Sequence, residues 1–163
     1  MNKIHQYSIG VQWTGNLGSG TSAYTAYERS HLIVGNNKQS ILASSDPAFR
    51  GDPLCYNPEE LLVASLSSCH MLWYLHLCAE AGVIVVDYND QAEGTMEESS
   101  MEEDTTIGGK FTSVTLHPTI AITDLSMIDK ASELHHKAHQ LCYIANSCNF
   151  SVHCKPVFKV ISS

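Results

Sequence analysis

Arginine is nearly absent from this chain. Arg29 and Arg50 are the only two, and lysine and arginine together number nine against 17 acidic side chains in 163 residues, a net charge of −8 with histidine neutral. Such a chain lacks the positive patch that non-specific nucleic-acid binding requires. A leader pattern is missing too: Met1-Asn2-Lys3-Ile4-His5-Gln6 runs directly into an alternating stretch, so the chain reads as cytoplasmic, with its thiols reduced at rest. The six cysteines (55, 69, 78, 142, 148 and 154) form no small secreted framework. A chain of this length buries about two-thirds of the surface it exposes when unfolded and needs no disulfide staple. No internal repeat or composition break divides it, so residues 1–163 read as one domain.

Charge is missing altogether from Leu61 to Ala79. That length approaches a membrane span. Ser65, Ser67, Ser68, His70 and His76 interrupt the run, however, Glu59, Glu60 and Glu80 flank it, and no Lys or Arg lies nearby to orient it. The segment reads as a central helix enclosed by sheet or by a partner subunit, outside any membrane.

Signals along the chain give the element order. Tyr7, Ile9, Val11 and Trp13 alternate as a half-buried strand. Gly15–Gly20 is a turn or loop, and weaker strands follow near Tyr24–Val34 and Ser40–Ala43 around the turn Gly35-Asn36-Asn37. Ser45–Tyr56 is a loop broken by Pro47, Gly51 and Pro53. Asn57 is the N-cap of the first long helix, Pro58 suits its first position, Glu60 completes a capping box, and Gly82 closes it. Val83–Met96 and Lys110–Thr123 read as strands flanking an acidic solvated tip at Glu97–Asp104. A second helix is expected from Ser126 to Asn146 and a last strand over Phe150–Ile161. The order βββ-α-ββ-α-β points to an α+β fold with largely antiparallel sheet around a buried central helix.

Two of the cysteines fall in the two helical segments. Cys69 lies in Asn57-Pro58-Glu59-Glu60-Leu61-Leu62-Val63-Ala64-Ser65-Leu66-Ser67-Ser68-Cys69-His70, and Cys142 in Ala138-His139-Gln140-Leu141-Cys142-Tyr143. Thiol chemistry requires a thiolate, and an ordinary cysteine with a pKa near ~8.5 is mostly protonated at neutral pH. Cys69 is about three turns into its helix, beyond the reach of the helix dipole. A fixed positive group is needed, and Arg50 precedes the helix in the loop Asp46-Pro47-Ala48-Phe49-Arg50-Gly51-Asp52. Paired with Glu59 or Glu60, it would aim a permanent charge. The plainer reading stands beside it: Asn57–Glu60 is only a helix cap and Arg50 a surface residue.

The Asn-Pro-Glu-Glu-Leu-Leu start, the helical cysteine that follows and the later Ala-His-x-x-Cys segment resemble the OsmC/Ohr family, the osmotically inducible C and organic hydroperoxide resistance proteins. The resemblance covers most of the chain. It implies an intertwined homodimer with active sites at the subunit interface. It further implies thiol-dependent reduction of organic hydroperoxides, with no bound cofactor and an external dithiol, such as a dihydrolipoyl group, as reductant. By resemblance Cys69 is the reactive cysteine, Cys142 the resolving one and Glu59 the family's glutamate. Arg50 is the first choice for the family's arginine, with Arg29 in reserve, and Glu60 is the reserve for Glu59. Two features depart from the commonest pattern. Tyr143 rather than proline follows Cys142, and Cys69 is followed by the bulky His70-Met71-Leu72-Trp73-Tyr74.

Other readings remain open. His135, His139 and Cys142 share a helical stripe and, with Cys69, offer a zinc-type donor set, though no Cys-x-x-Cys or His-x-x-x-Cys pair anchors it on the Cys69 helix. His135, His136 and His139 read better as polar-face or interface residues, and His70 and His76 as buried, hydrogen-bonded histidines. A cysteine–histidine hydrolase dyad lacks an exposed nucleophile turn. Cys55, Cys78, Cys148 and Cys154 read as structural. A last alternative is a catalytically weak relative that binds a hydrophobic ligand at the dimer interface.

Overall fold

The computed structural model describes residues 3–99 and 108–161. It divides into two units, Met1–Leu61 and Leu62–Ser163.

In the first unit, β1 (Gly10–Trp13), β2 (His31–Val34) and β3 (Ile41–Ala43) form an antiparallel meander. The first strand is shorter than its alternation implies, and it is not half-buried. Val11 is 69% and Trp13 44% exposed. Register explains what this means: Val11 lies opposite Ile33 and Ile33 opposite Ile41, so an apolar row crosses the sheet with its outer members in solvent. Asn16 closes the Gly15–Gly20 loop by accepting the Gly18 and Gly20 N–H groups.

The 45–56 loop is built, not slack. Asp46 caps a 3-10 turn over Pro47–Phe49 by accepting the Ala48 N–H at 2.7 Å, and the Gly51 N–H donates to the Asp46 carbonyl. Arg50 ends that turn in the left-handed region with φ 67°. A Cβ on Gly51 would run into the Ser45 carbonyl, which explains glycine there. The helix start follows the expected capping box: the Asn57 side chain accepts the Glu60 N–H at 2.7 Å, and the Glu60 carboxylate accepts the Asn57 N–H at 3.1 Å.

Helix α1 (Pro58–Ala81) ends in a Schellman turn. Gly82, with φ 72°, donates to the Ala79 carbonyl and Val83 to that of Cys78. The serines inside this apolar helix are satisfied: Ser65 and Ser68 donate back to the carbonyls of Leu62 and Ser65, and Ser67 donates to Asp90. Only a stripe of Leu66, His70, Tyr74, Leu77 and Cys78 is buried. Among the described residues α1 alone is long and apolar enough to cross a membrane, yet its buried stripe belongs to a protein core.

The three strands expected in the second half are each divided in two. β4 (Val85–Asp90) and β5 (Glu93–Glu98) replace the first, β6 (Gly109–Leu116) and β7 (Pro118–Ile122) the second, and β8 (Ser151–Cys154) and β9 (Val157–Val160) the third. The observed order is therefore βββ-α-ββββ-α-ββ. One half of each long strand pairs as β5-β6-β8 and the other as β4-β7-β9.

The breaks fall side by side, at two prolines and a hydrogen bond between residues distant in sequence. Pro118 and Pro156 have no N–H to give the ladder, while Asp90 accepts the His117 N–H at 2.7 Å. The sheets are also more mixed than expected, because β6–β8 and β7–β9 run parallel. Parallel neighbours need a crossover, which α2 (Ile128–Leu141) supplies. Two cores result. Leu66 packs with Val114 and Leu116, and Tyr74, Leu77 and Cys78 pack with Ile120, Ile122, Ala131, Leu134 and Ala138. Of the acidic stretch 97–104, Glu97 and Glu98 are exposed on β5, whereas 100–107 lie outside the described residues.

Candidate active site

Cys69 lies in the middle of α1, partly exposed. Cys142 is not in the second helix, as its neighbours led us to expect. That helix ends at Leu141, and Cys142 caps it in an extended conformation, φ −68° and ψ 107°. Several bonds fix its place: its N–H donates to the His139 carbonyl, its carbonyl accepts the Asn146 N–H, and the Ala145 N–H points at its sulfur at 3.4 Å.

The two thiols are neighbours: burial, with the nearby Cys69 second, pushes the Cys142 thiol up to about 11. Cys142 is therefore a buried, protonated sulfur at neutral pH, beside a partly exposed one. Both are free thiols.

The departures from the common pattern also meet. Trp73, one turn after Cys69, packs edge-to-face on Tyr143, the residue after Cys142, with ring centroids 5.8 Å apart. Tyr143 is 70% exposed. An aromatic wall thus stands beside the dithiol.

The charged candidates lie in the first unit. Arg29 is committed there: its guanidinium lies 4.3 and 4.2 Å from the ring centroids of Tyr24 and Tyr27 and donates to their two backbone carbonyls. Arg50 is exposed and reaches the Tyr24 ring at 5.8 Å. The expected Arg50–Glu59 or Arg50–Glu60 pair is not formed within the chain; among the described residues no arginine makes an ion pair. Glu60 is held by its capping box instead. Glu59 is partly exposed.

The histidine readings change more. His76 is exposed and pairs with Glu80 at 3.4 Å, so it is not a buried histidine. His135 is not a polar-face residue: it is buried, with its ring stacked on Tyr74 at 3.8 Å. It faces His70 and Cys154, with His70 Nε2 to His135 Nδ1 at 3.0 Å and the Cys154 sulfur 3.6 and 3.7 Å from those nitrogens. Burial holds His70 down at about 4 and His135 at about 3, and pushes Cys154 up to about 12. The suggested stripe of His135, His139 and Cys142 is thus broken: His139 is exposed, and Cys142 turns toward Cys69. No sequence spacing signals the trio that forms instead, since its members come from α1, α2 and β8.

Comparison with known proteins agrees with the fold. A family model described as OsmC-like protein matches residues 51–156. An OsmC-like protein of unknown function from Vibrio cholerae O1 biovar eltor is 30% identical, with 94% of this chain and 100% of that one covered and a TM-score of 0.79. Two organic hydroperoxide resistance proteins share the fold at 20% identity and a TM-score of 0.65. The one from Elizabethkingia anophelis, which holds thiocyanate, is covered over 99% of its length, and the one from Legionella pneumophila over 100%, each by 96% of this chain. No curated protein sequence matches the chain. With the capped cysteine helix, the second cysteine brought against it and a family match spanning most of the residues, the chain belongs to the OsmC-like protein family.

Proposed function

We propose that the protein is a thiol peroxidase that reduces organic hydroperoxides to alcohols. The observation that carries this reading is the proximity of the Cys69 and Cys142 thiols, one partly exposed and one buried. The Cys69 thiolate attacks the terminal peroxide oxygen. A sulfur–oxygen bond forms as the O–O bond breaks, the alcohol leaves with a proton, and the sulfur is oxidised by two electrons to a sulfenic acid. The Cys142 sulfur then displaces that oxygen as water and forms a disulfide, which an external dithiol of the dihydrolipoyl type reduces by exchange. The Trp73–Tyr143 wall favours a peroxide with an apolar, especially aromatic, body over hydrogen peroxide. Steady consumption of cumene hydroperoxide with dihydrolipoamide tests this. Stoichiometric ligand binding without turnover would leave the ligand-binding alternative instead.

The activating charge belongs to Arg50 in this reading, because Arg29 is already tied to two carbonyls. A cation within about 4–6 Å moves a thiol's titration by about one to three pH units. Arg50→Ala is accordingly expected to shift the pH profile of Cys69 alkylation upward. A shift in Arg29→Ala alone would transfer the role.

The functional unit is a homodimer. Only 28% of the most apolar 18-residue window of α1 is buried by its own chain, and Leu72, Val11 and Trp13 stand in solvent. An obligate interface covering such surface exceeds ~2,000 Å² in total. Light scattering should give twice the chain mass at micromolar concentration; a stable monomer would contradict the interface.

A further inference from the structure

We propose that His70, His135 and Cys154 form a buried N2S site for a d10 cation, zinc(II) or copper(I), separate from the Cys69–Cys142 dithiol. Each residue offers one donor atom, and all three atoms lie within 4.8 Å of one another. The nitrogens are 3.0 Å apart and the sulfur is 3.6 and 3.7 Å from them. With metal–nitrogen bonds of ~2.0 Å and a metal–sulfur bond of ~2.3 Å, a tetrahedral set has edges of about 3.3 Å between nitrogens and about 3.5 Å from nitrogen to sulfur. A trigonal set has edges of about 3.5 and about 3.7 Å. The nitrogen–sulfur edges already have coordination length. The nitrogens need to part by only a few tenths of an ångström when a cation replaces the proton between them.

A second observation points the same way. Among the described residues, the buried polar side-chain atoms without a hydrogen-bond partner are the Tyr74 hydroxyl, the Tyr88 hydroxyl and His135 Nε2. Buried polar atoms are rarely left so. Tyr74 stacks on His135, and both tyrosines lie close enough to Cys154 to respond to a charge on its sulfur. The Tyr88 hydroxyl is available as an outer-shell donor to a metal-bound thiolate, whereas the Tyr74 hydroxyl lies within reach of Cys78. The Asp90 carboxylate acts on both His70 and Cys154 and offsets the residual charge of a zinc–thiolate unit. Two imidazoles and a thiolate suit zinc(II) or copper(I), whereas magnesium and calcium prefer oxygen.

The test uses the full chain with Cys69→Ser and Cys142→Ser, so that the dithiol cannot bind the metal. After treatment with a chelator it is titrated with cobalt(II) as a spectroscopic stand-in for zinc. The expected result is one equivalent bound, with an intense thiolate-to-cobalt charge-transfer band. Adding Cys154→Ser should remove the band, and adding His135→Gln should weaken binding at least about a hundredfold, beyond what loss of an outer-shell partner costs. Competition of zinc(II) and of copper(I) against calibrated chelators then tells which cation is preferred. Alkylation mapping with Cys154 intact guards against a misfolded variant: zinc or copper should protect that thiol selectively. Absence of the band, its survival in the Cys154→Ser background, or an unprotected Cys154 would each overturn the site.

Discussion

Cys69→Ser is expected to reduce cumene hydroperoxide consumption to the uncatalysed background, because Cys69 is the partly exposed sulfur with the buried Cys142 thiol beside it. Cys142→Ser should behave differently. It should consume about one equivalent and then stop, leaving Cys69 as a trappable sulfenic acid in place of the disulfide. The remaining thiols are poor substitutes. Cys78 is buried and its thiol is pushed up by that burial, and Cys148 donates to the Ile144 carbonyl at 3.3 Å. Measuring both variants against hydroperoxide and dithiol separates attack from resolution. Full turnover by Cys69→Ser would remove Cys69 from the mechanism, and undiminished turnover by Cys142→Ser would remove the resolving step.

The metal-free protein should lose stability steeply as pH falls from about 6.5 toward 4. Burial keeps His70 and His135 neutral in the folded state, with their titrations lowered to about 4 and about 3. A proton on His70 opposes one on His135, the exposed His136 opposes it there too and the exposed His139 opposes it at His70, while the Asp90 carboxylate favours it at His70. The unfolded chain takes up these protons near ~6.5, so it binds more protons than the native state in that window and stability rises with pH. The contribution is fully present above about 6.5 and is of order 3 kcal/mol for His70 alone. Urea melts at stepped pH measure it, and His135→Phe should flatten the slope by about one proton. An unchanged slope would mean that the pair is solvated. Excess zinc should protect between these pH values if the three-residue site holds it.

Much of the fold was legible because local chemistry agreed with tertiary need. Asn57, Pro58, Glu60 and Gly82 declare the ends of α1, and the observed capping box and Schellman turn follow them. The uncharged run marked the central helix. What escaped were breaks set by partners distant in sequence. The strand over 110–123 reads as continuous until His117 donates to Asp90, 27 residues away, at the same level as Pro156 on the neighbouring strand. The parallel pairings escaped for the same reason. The end of α2 was overrun because Cys142-Tyr143-Ile144-Ala145 continues the apolar pattern and has no glycine stop, and tertiary placement of the thiol decides it.

The candidate site was legible in part. Cys69 and Cys142 were singled out and lie near one another. The Arg50–Glu59 pair was expected within the chain and is not formed there. The His70–His135–Cys154 trio could not be read at all. Its members are separated by up to 84 positions, and nothing in their local patterns sets them apart from ordinary core residues.

Cys69 and Cys142 are proposed to work as one redox pair. Peptide mapping by mass spectrometry, after one equivalent of cumene hydroperoxide is added to the reduced protein, tests this most directly. A single new linkage is expected, Cys69 to Cys142, that dihydrolipoamide reverses. Linkage of Cys142 only to Cys148 or Cys154, or a Cys69 thiol unchanged by the peroxide, would contradict it.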